Sequence, residues 1–201
     1  NAAADTFGIG VAYYVTIGVS WSEAEILSTL NAHISARNVT AGGSITVQSL
    51  YNYDASGNVL TNSDSTPKGA YTNSNASGGG LLAGGNGAIS KSTVTPSLTT
   101  YIGNSNSTFS AAGAVIVRSY SSNRASADAF GVTVGGVAGV GVMKADATSD
   151  ASVLTYVGAE DPTGTDGGAL FSAGSLKVDS QVIDSASSIS ELGAGSVAAA
   201  V

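Results

Sequence analysis

The sequence predicts an all-β fold built from repeats, an extended parallel β-helix-like β-solenoid. Three observations lead there. Aliphatic residues alternate with glycine and threonine at period two, as in Gly131–Met143, the spacing of a strand and not of a helix. Related segments recur about every 60 to 70 residues, and self-similarity at a fixed spacing marks a repeat architecture. Glycine turns punctuate each copy at one place, at Gly43, Gly113 and Gly174. A β-sandwich with strands exchanged between subunits is the alternative architecture.

The first element of the repeat is the most regular. Ala3–Ile34 slides by 123 positions onto Ser126–Val157 without a gap, with eight identities in 32 positions. These include Asp5/Asp128, Phe7/Phe130, Gly8/Gly131 and Gly18/Gly141, and Ile9/Val132 and Ile17/Val140 exchange one β-branched residue for another. Each copy reads as two strands joined by a turn, Gly135-Gly136 in the later one. One face carries Ile9, Val11, Ile17 and Val19, or Val132, Val134, Val140 and Val142. Such a β-branched face suits a buried pleated surface and is expected inside. The other face, with Gly8, Gly10, Thr16 and Gly18 or Gly131, Thr133, Gly139 and Gly141, is nearly bare and lets a second backbone approach closely.

The next stretch is ambiguous in one copy. Ser22-Glu23-Ala24-Glu25 has capping-box spacing, and Ile26, Leu30 and Ile34 fall on one helical face. The equivalent segment from Ser92 holds Pro96 in a β-branched run, which opposes a helix interior. Strand is therefore expected in every copy. Leu98–Gly103 then matches Val153–Gly158 and, more weakly, Leu30–Ser35. A glycine turn and a strand follow in each, over Ala41–Ser49, Ala111–Ser119 and Ser172–Ser180.

From Ser185 a unit begins again, with Leu192-Gly193 where Phe7-Gly8 stood. The chain is thus read as one array with approximate units 1–72, 73–123, 124–184 and a partial 185–201. A spacing above 60 residues is long for one solenoid coil, so a unit is expected to hold two or three coils. Tyr51–Tyr71 and Glu160–Gly168 break the period as insertions.

Composition narrows the function classes. Charged residues make up 10% of the chain, against roughly 25% in ordinary soluble domains; small polar residues replace them. Seven basic residues and a net charge of −7 build no phosphate-tracking stripe, so neither nucleic acid nor an anionic membrane is an expected partner. With no cysteine, disulfides and thiolate chemistry are excluded. Val132–Met143 is too short and glycine-rich for a membrane helix, and the sparse aromatics form no paired girdles of a membrane barrel. No membrane insertion is expected. The start, Asn1-Ala2-Ala3-Ala4, lacks Met and a basic leader region, and the chain is read as processed or excised from something longer.

Candidate sites are few, and no catalytic, cofactor or metal residue is expected. The single histidine, His33, aligns with Tyr101 and Tyr156 and reads as a structural planar side chain, since triads and metal sets need partners. Tyr101, Tyr120 and Tyr156 form either an aromatic ladder for sugar stacking or packing along the repeat. Glu160–Gly168 offers carboxylates and glycine turns that suit Ca²⁺, but the spacing matches no calcium loop; it reads as a solvated turn, with calcium the lesser reading. Asp54-Ala-Ser-Gly57-Asn58 reads as a hairpin turn. The sequons at Asn38, Asn75 and Asn106 are no more than chance supplies.

The runs Ala127–Val142, Thr155–Gly158 and Ser172–Ser180 resemble the repeats of giant bacterial filamentous adhesins, the leukotoxin-type and filamentous-haemagglutinin-like exoproteins. The likeness covers most of residues 73–184 and implies a β-helical passenger at the cell surface, acting as stalk or adhesin without catalysis. Expected partners are neighbouring repeats or identical subunits, and host-cell or other surface glycans. The alternative is a subunit of an extracellular, pilus-like filament joined by β-strand addition. A polysaccharide-active enzyme would need a carboxylate set on adjoining coils, which the sparse charges do not supply.

Overall fold

The computed structural model describes residues 1–104, 106–158 and 169–196. They form fourteen strands and no helix. A first pass of the chain lays down β1 (Ala2–Ala12), β2 (Val15–Ile26), β3 (Thr29–Ile34), β4 (Asn38–Ala41) and β5 (Ile45–Tyr51). A second adds β6 (Ala70–Gly80), β7 (Ala83–Val94), β8 (Ser97–Ile102), β9 (Thr108–Ala111) and the start of β10 (Ala114–Gly135). The third runs through the rest of β10, then β11 (Ala138–Ser149), β12 (Ser152–Val157), β13 (Leu170–Ser172) and into β14 (Ser175–Ser196). The capping-box segment at Ser22 lies inside β2, as a strand.

Each pass adds one strand to every sheet. The sheets run β1-β6-β10-β14, with β5 beside the first half of β10, then β2-β7-β11, β3-β8-β12 and β4-β9-β13. Every pairing between these strands is parallel. An antiparallel sandwich is therefore not what the strands form.

The internal repeats are the pairing registers. Ala2 faces Ala70, and Ala70 faces Ala125, which reproduces the slide of 123. Leu30, Leu98 and Val153 share one column. The turn glycines also stack: Gly113 N–H donates to Gly43 O at 3.0 Å, and Gly174 N–H to Gly113 O at 3.0 Å. Two expectations are corrected here. One unit is a single pass, not two or three coils. The reason is side length: β10 and β14 run 22 residues each, about 70 Å at strand rise. The restart in β14 is also displaced by one position, since Phe130 faces Glu191 and Gly131 faces Leu192.

Two kinds of interior lie between the sheets. At the wide end, Ile45, Val47, Ile102, Phe109, Val115 and Val117 form an apolar core. At the narrow end, β1, β6 and β10 lie against β2, β7 and β11, and only small side chains fit between them. A Cβ on Gly78 would sit 2.0 Å from Gly85 O, and one on Gly8 2.6 Å from Val19 O. Buried hydroxyls there bond one another: Ser74 Oγ donates to Ser20 Oγ at 3.0 Å and Ser90 Oγ to Thr72 Oγ1 at 2.8 Å. These bonds satisfy groups that would otherwise be costly to bury.

The bare face is thus the inner face at this end, and the expectation that the aliphatic face lies inside is overturned. Val11 is 82% exposed and Ile17 74%. Val132, Val134, Val140 and Val142 also point out. Two backbones this close leave no volume for β-branched side chains, so the alternation turns them outward.

Residues 52–68 leave the stack as a looped hairpin between β5 and β6. Antiparallel bridges join Tyr53 to Val59 and Thr61 to Pro67. Its tip is the expected turn: Asp54 Oδ1 accepts from Ser56 N–H at 2.9 Å and Asn58 N–H at 2.8 Å, with Gly57 at φ 89. These bonds hold the Asp54 carboxyl below its ordinary pKa, chiefly through Asn58. Asn52 anchors the base by donating to Ser122 O at 2.8 Å.

Candidate functional site

Three outward features carry the functional possibilities: strand edges, an aromatic stack and an apolar narrow end. The first follows from stacking. Among the described residues, strands β1 to β5 pair on one side only, and no strand pairs with the other side of β11, β12, β13 or β14. Such edges present rows of backbone N–H and C=O groups that template further pairing.

The second lies on the outer face of β3-β8-β12. His33, Tyr101 and Tyr156 occupy one register column. His33 stacks on Tyr101 at 4.8 Å and 6° between planes, and Tyr101 on Tyr156 at 4.9 Å and 7°. The spacing is the strand separation of a sheet, so the register sets the stack. His33 Nδ1 lies 3.2 Å from Asn31 Oδ1. The stack makes a flat, half-polar platform about three strands wide.

Tyr120 is not part of that ladder. It sits on β10 against Tyr53 of the hairpin, at 5.4 Å, with the Arg118 guanidinium 5.4 Å from its ring. Its hydroxyl donates to Asp179 Oδ2 at 2.6 Å. That bond raises the Tyr120 pKa and is the first cause of the lowered Asp179 pKa. Lys177 Nζ lies 2.9 Å from the same carboxylate. Arg118 also donates to Gln48 Oε1 at 2.7 Å and to Ala55 O at 2.8 Å. The cluster ties three passes and the hairpin together.

The third feature was missed in the sequence. At the narrow end the turns stack as a ridge of Tyr13, Tyr14, Leu81, Leu82 and Val137, all exposed. Aliphatic side chains cover both outer faces behind it. A signal for it exists in the sequence: residues 6–22, 74–90 and 129–143 contain no Asp, Glu, Lys or Arg.

The described residues hold no group of three or more His, Asp or Glu able to bind a metal ion. The acidic segment 160–168, the calcium candidate, lies outside the described residues. Of the sequon asparagines, Asn38 and Asn106 are exposed and Asn75 faces outward on β6. Compared with protein-family models, curated proteins and solved structures, the chain matches none.

Proposed function

We propose that this chain is a stretch of an extracellular β-solenoid that serves as the stalk or adhesive shaft of a bacterial surface protein, without catalysis. The observation that carries the reading is the coincidence of repeat and register. Each unit adds one strand to every sheet and buries its inner face against the same layers as its neighbours. A stack of this kind gains length by adding passes and needs no new fold. The resemblance of Ala127–Val142, Thr155–Gly158 and Ser172–Ser180 to filamentous adhesin repeats supports the surface location. The His33–Tyr101–Tyr156 platform is the place where a surface glycan would stack.

The unpaired edges favour a second reading, a filament subunit whose last strands pair with the first strands of the next copy. Electron microscopy of the purified chain separates the two. Regular fibres with an axial repeat of about 14–19 Å, three or four strands at strand spacing, support the subunit. Lone short rods support the shaft. Compact particles with no long axis would remove both.

A further inference from the structure

The outer face of β1-β6-β10-β14 at the narrow end is corrugated. The first pass presents Phe7, Ile9 and Val11, and the third presents Phe130, Val132 and Val134. Between them the second pass presents Asn75, Ser77 and Gly79, and beside the third pass β14 presents Glu191, Gly193 and Gly195. Bulky and bare rows therefore alternate, with ridges about 9.5 Å apart, two strand spacings. At the narrow end the groove between the ridges opens into a hollow of about 670 Å³ lined by Val11, Tyr13, Gly79, Gly80, Leu81 and Val134.

The fold itself does not require the outward glycines. A Cβ on Gly79 would find its nearest neighbour, Val134 O, at 4.0 Å, and Gly195 has nothing within 4 Å. The inward Gly78 and Gly80 are different, since their Cβ atoms would collide with backbone oxygens at 2.0 and 2.2 Å. Glycine weakens a strand and often marks the close approach of another backbone or ligand. Flanked by exposed apolar ridges, the bare row at Gly79 has the form of a receptacle.

We infer that this face pairs with the same face of a second copy of the chain, each copy setting its Phe130–Val134 ridge in the other's Gly79 groove. Ridge and groove have the same spacing and run along the same strands, so one two-fold axis satisfies both contacts at once. The six ridge side chains expose on the order of 600 Å², judged from typical side-chain areas. That is at the top of what monomers leave bare and somewhat below the roughly 800 Å² per partner of a standard interface. The pair is therefore a weak dimer for this length of chain, and its area grows with every bulky pass added. Charge opposes it little: residues 6–22, 74–90 and 129–143 are free of ionisable groups apart from tyrosine, and Glu191 of β14 puts a carboxylate at the far end of the face, in the column of Phe7 and Phe130. The inference stands independently of the shaft or filament reading, because it uses a face and not a strand edge.

The test is sedimentation equilibrium of the wild-type chain, Gly79→Phe, Val132→Lys and Gly87→Phe, from micromolar to millimolar concentration. Gly79→Phe fills the groove where there is room for a side chain, and Val132→Lys puts a charge on the ridge. Gly87→Phe makes a like change on the opposite outer face, where the nearest neighbour is Val142 O at 3.7 Å. The expected result is a reversible wild-type dimer, weakened at least about tenfold by Gly79→Phe and by Val132→Lys, and unchanged by Gly87→Phe. A wild-type monomer throughout overturns the inference. So does association that ignores both Gly79→Phe and Val132→Lys, which would place the contact on the strand edges. Flotation of monomers with phosphatidylcholine vesicles, kept or increased in Gly79→Phe, overturns it in favour of lipid.

Discussion

Two adjacent glycines on β6 should respond to alanine with opposite signs. Gly78 points into the narrow interior, where a Cβ would lie 2.0 Å from Gly85 O and 2.9 Å from Gly85 C. Relief requires β7 to move by about 1 Å, a contact distance being above 3 Å. β7 cannot move alone, because it is paired to β2 on one side and β11 on the other. Overpacking of a tight interior costs about 1–3 kcal/mol, and a clash with doubly held backbone belongs at or above the top of that range. Gly79 points outward with 4.0 Å of clearance, so Gly79→Ala reduces the freedom of the unfolded chain and stabilises by about 0.4–1 kcal/mol. For a domain of this size 1 kcal/mol moves Tm by roughly 2–4 °C. Gly78→Ala should therefore lower Tm by about 6–12 °C, and Gly79→Ala should raise it by about 1–4 °C. Thermal melts followed by far-ultraviolet circular dichroism, at a concentration low enough to keep the chain monomeric, read both. Equal responses of the two variants would refute the assignment of inner and outer faces.

Two further outcomes follow from the clusters at the wide end. The Tyr120–Asp179 bond needs a protonated phenol and an ionised carboxylate. Asp179 has its folded pKa lowered, so its contribution is present above about pH 4 and is lost as pH falls through the folded value. Tyr120 has its pKa raised, so its contribution is present below about pH 10 and is lost as pH rises through the folded value. Urea midpoints measured across pH should show Tyr120→Phe reducing the alkaline loss, the remainder belonging to Tyr51, Tyr53, Lys91 and Lys177, whose pKa values are also raised; an unchanged alkaline limb would count against the bond. Phe109 is fully buried and stacks on Phe171 at 5.2 Å. Phe109→Ala should cost about 3–5 kcal/mol in urea denaturation, and a loss near zero would show that this core is not shared between passes.

Much of the architecture was legible because stacking writes itself into sequence. Residues in one column meet the same neighbours, so Leu30, Leu98 and Val153 match, as do Gly43, Gly113 and Gly174. The His33, Tyr101 and Tyr156 stack was visible for that reason. Tyr120 was not, because its partners Tyr53 and Asp179 come from a looped insertion and from a different column. Period two established that Ile9 and Gly8 face opposite ways but not which of them faces in. The usual preference for burying β-branched residues fails where the two sheets touch through Gly78 and Gly85. The coil count failed for a similar reason: nothing local in Ala114–Gly135 announces that a strand will run 22 residues without turning.

The passes are of unequal length, yet their registers agree. Ala2 to Ala70 spans 68 residues, Ala70 to Ala125 spans 55 and Ala125 to Ala186 spans 61. Most of the surplus of the first pass is the hairpin 52–68, which leaves the stack midway along the long side, between β5 and β6, where β10 and β14 run on unbroken. A single residue added within a strand would exchange its inner and outer faces, whereas the hairpin, looped out whole, leaves the columns on both sides of it in register with β10. Axial position and chain length are therefore separate variables in this molecule. The columns act as a ruler, and a loop let out between two of them, even partway along a side, lengthens the chain without resetting that ruler.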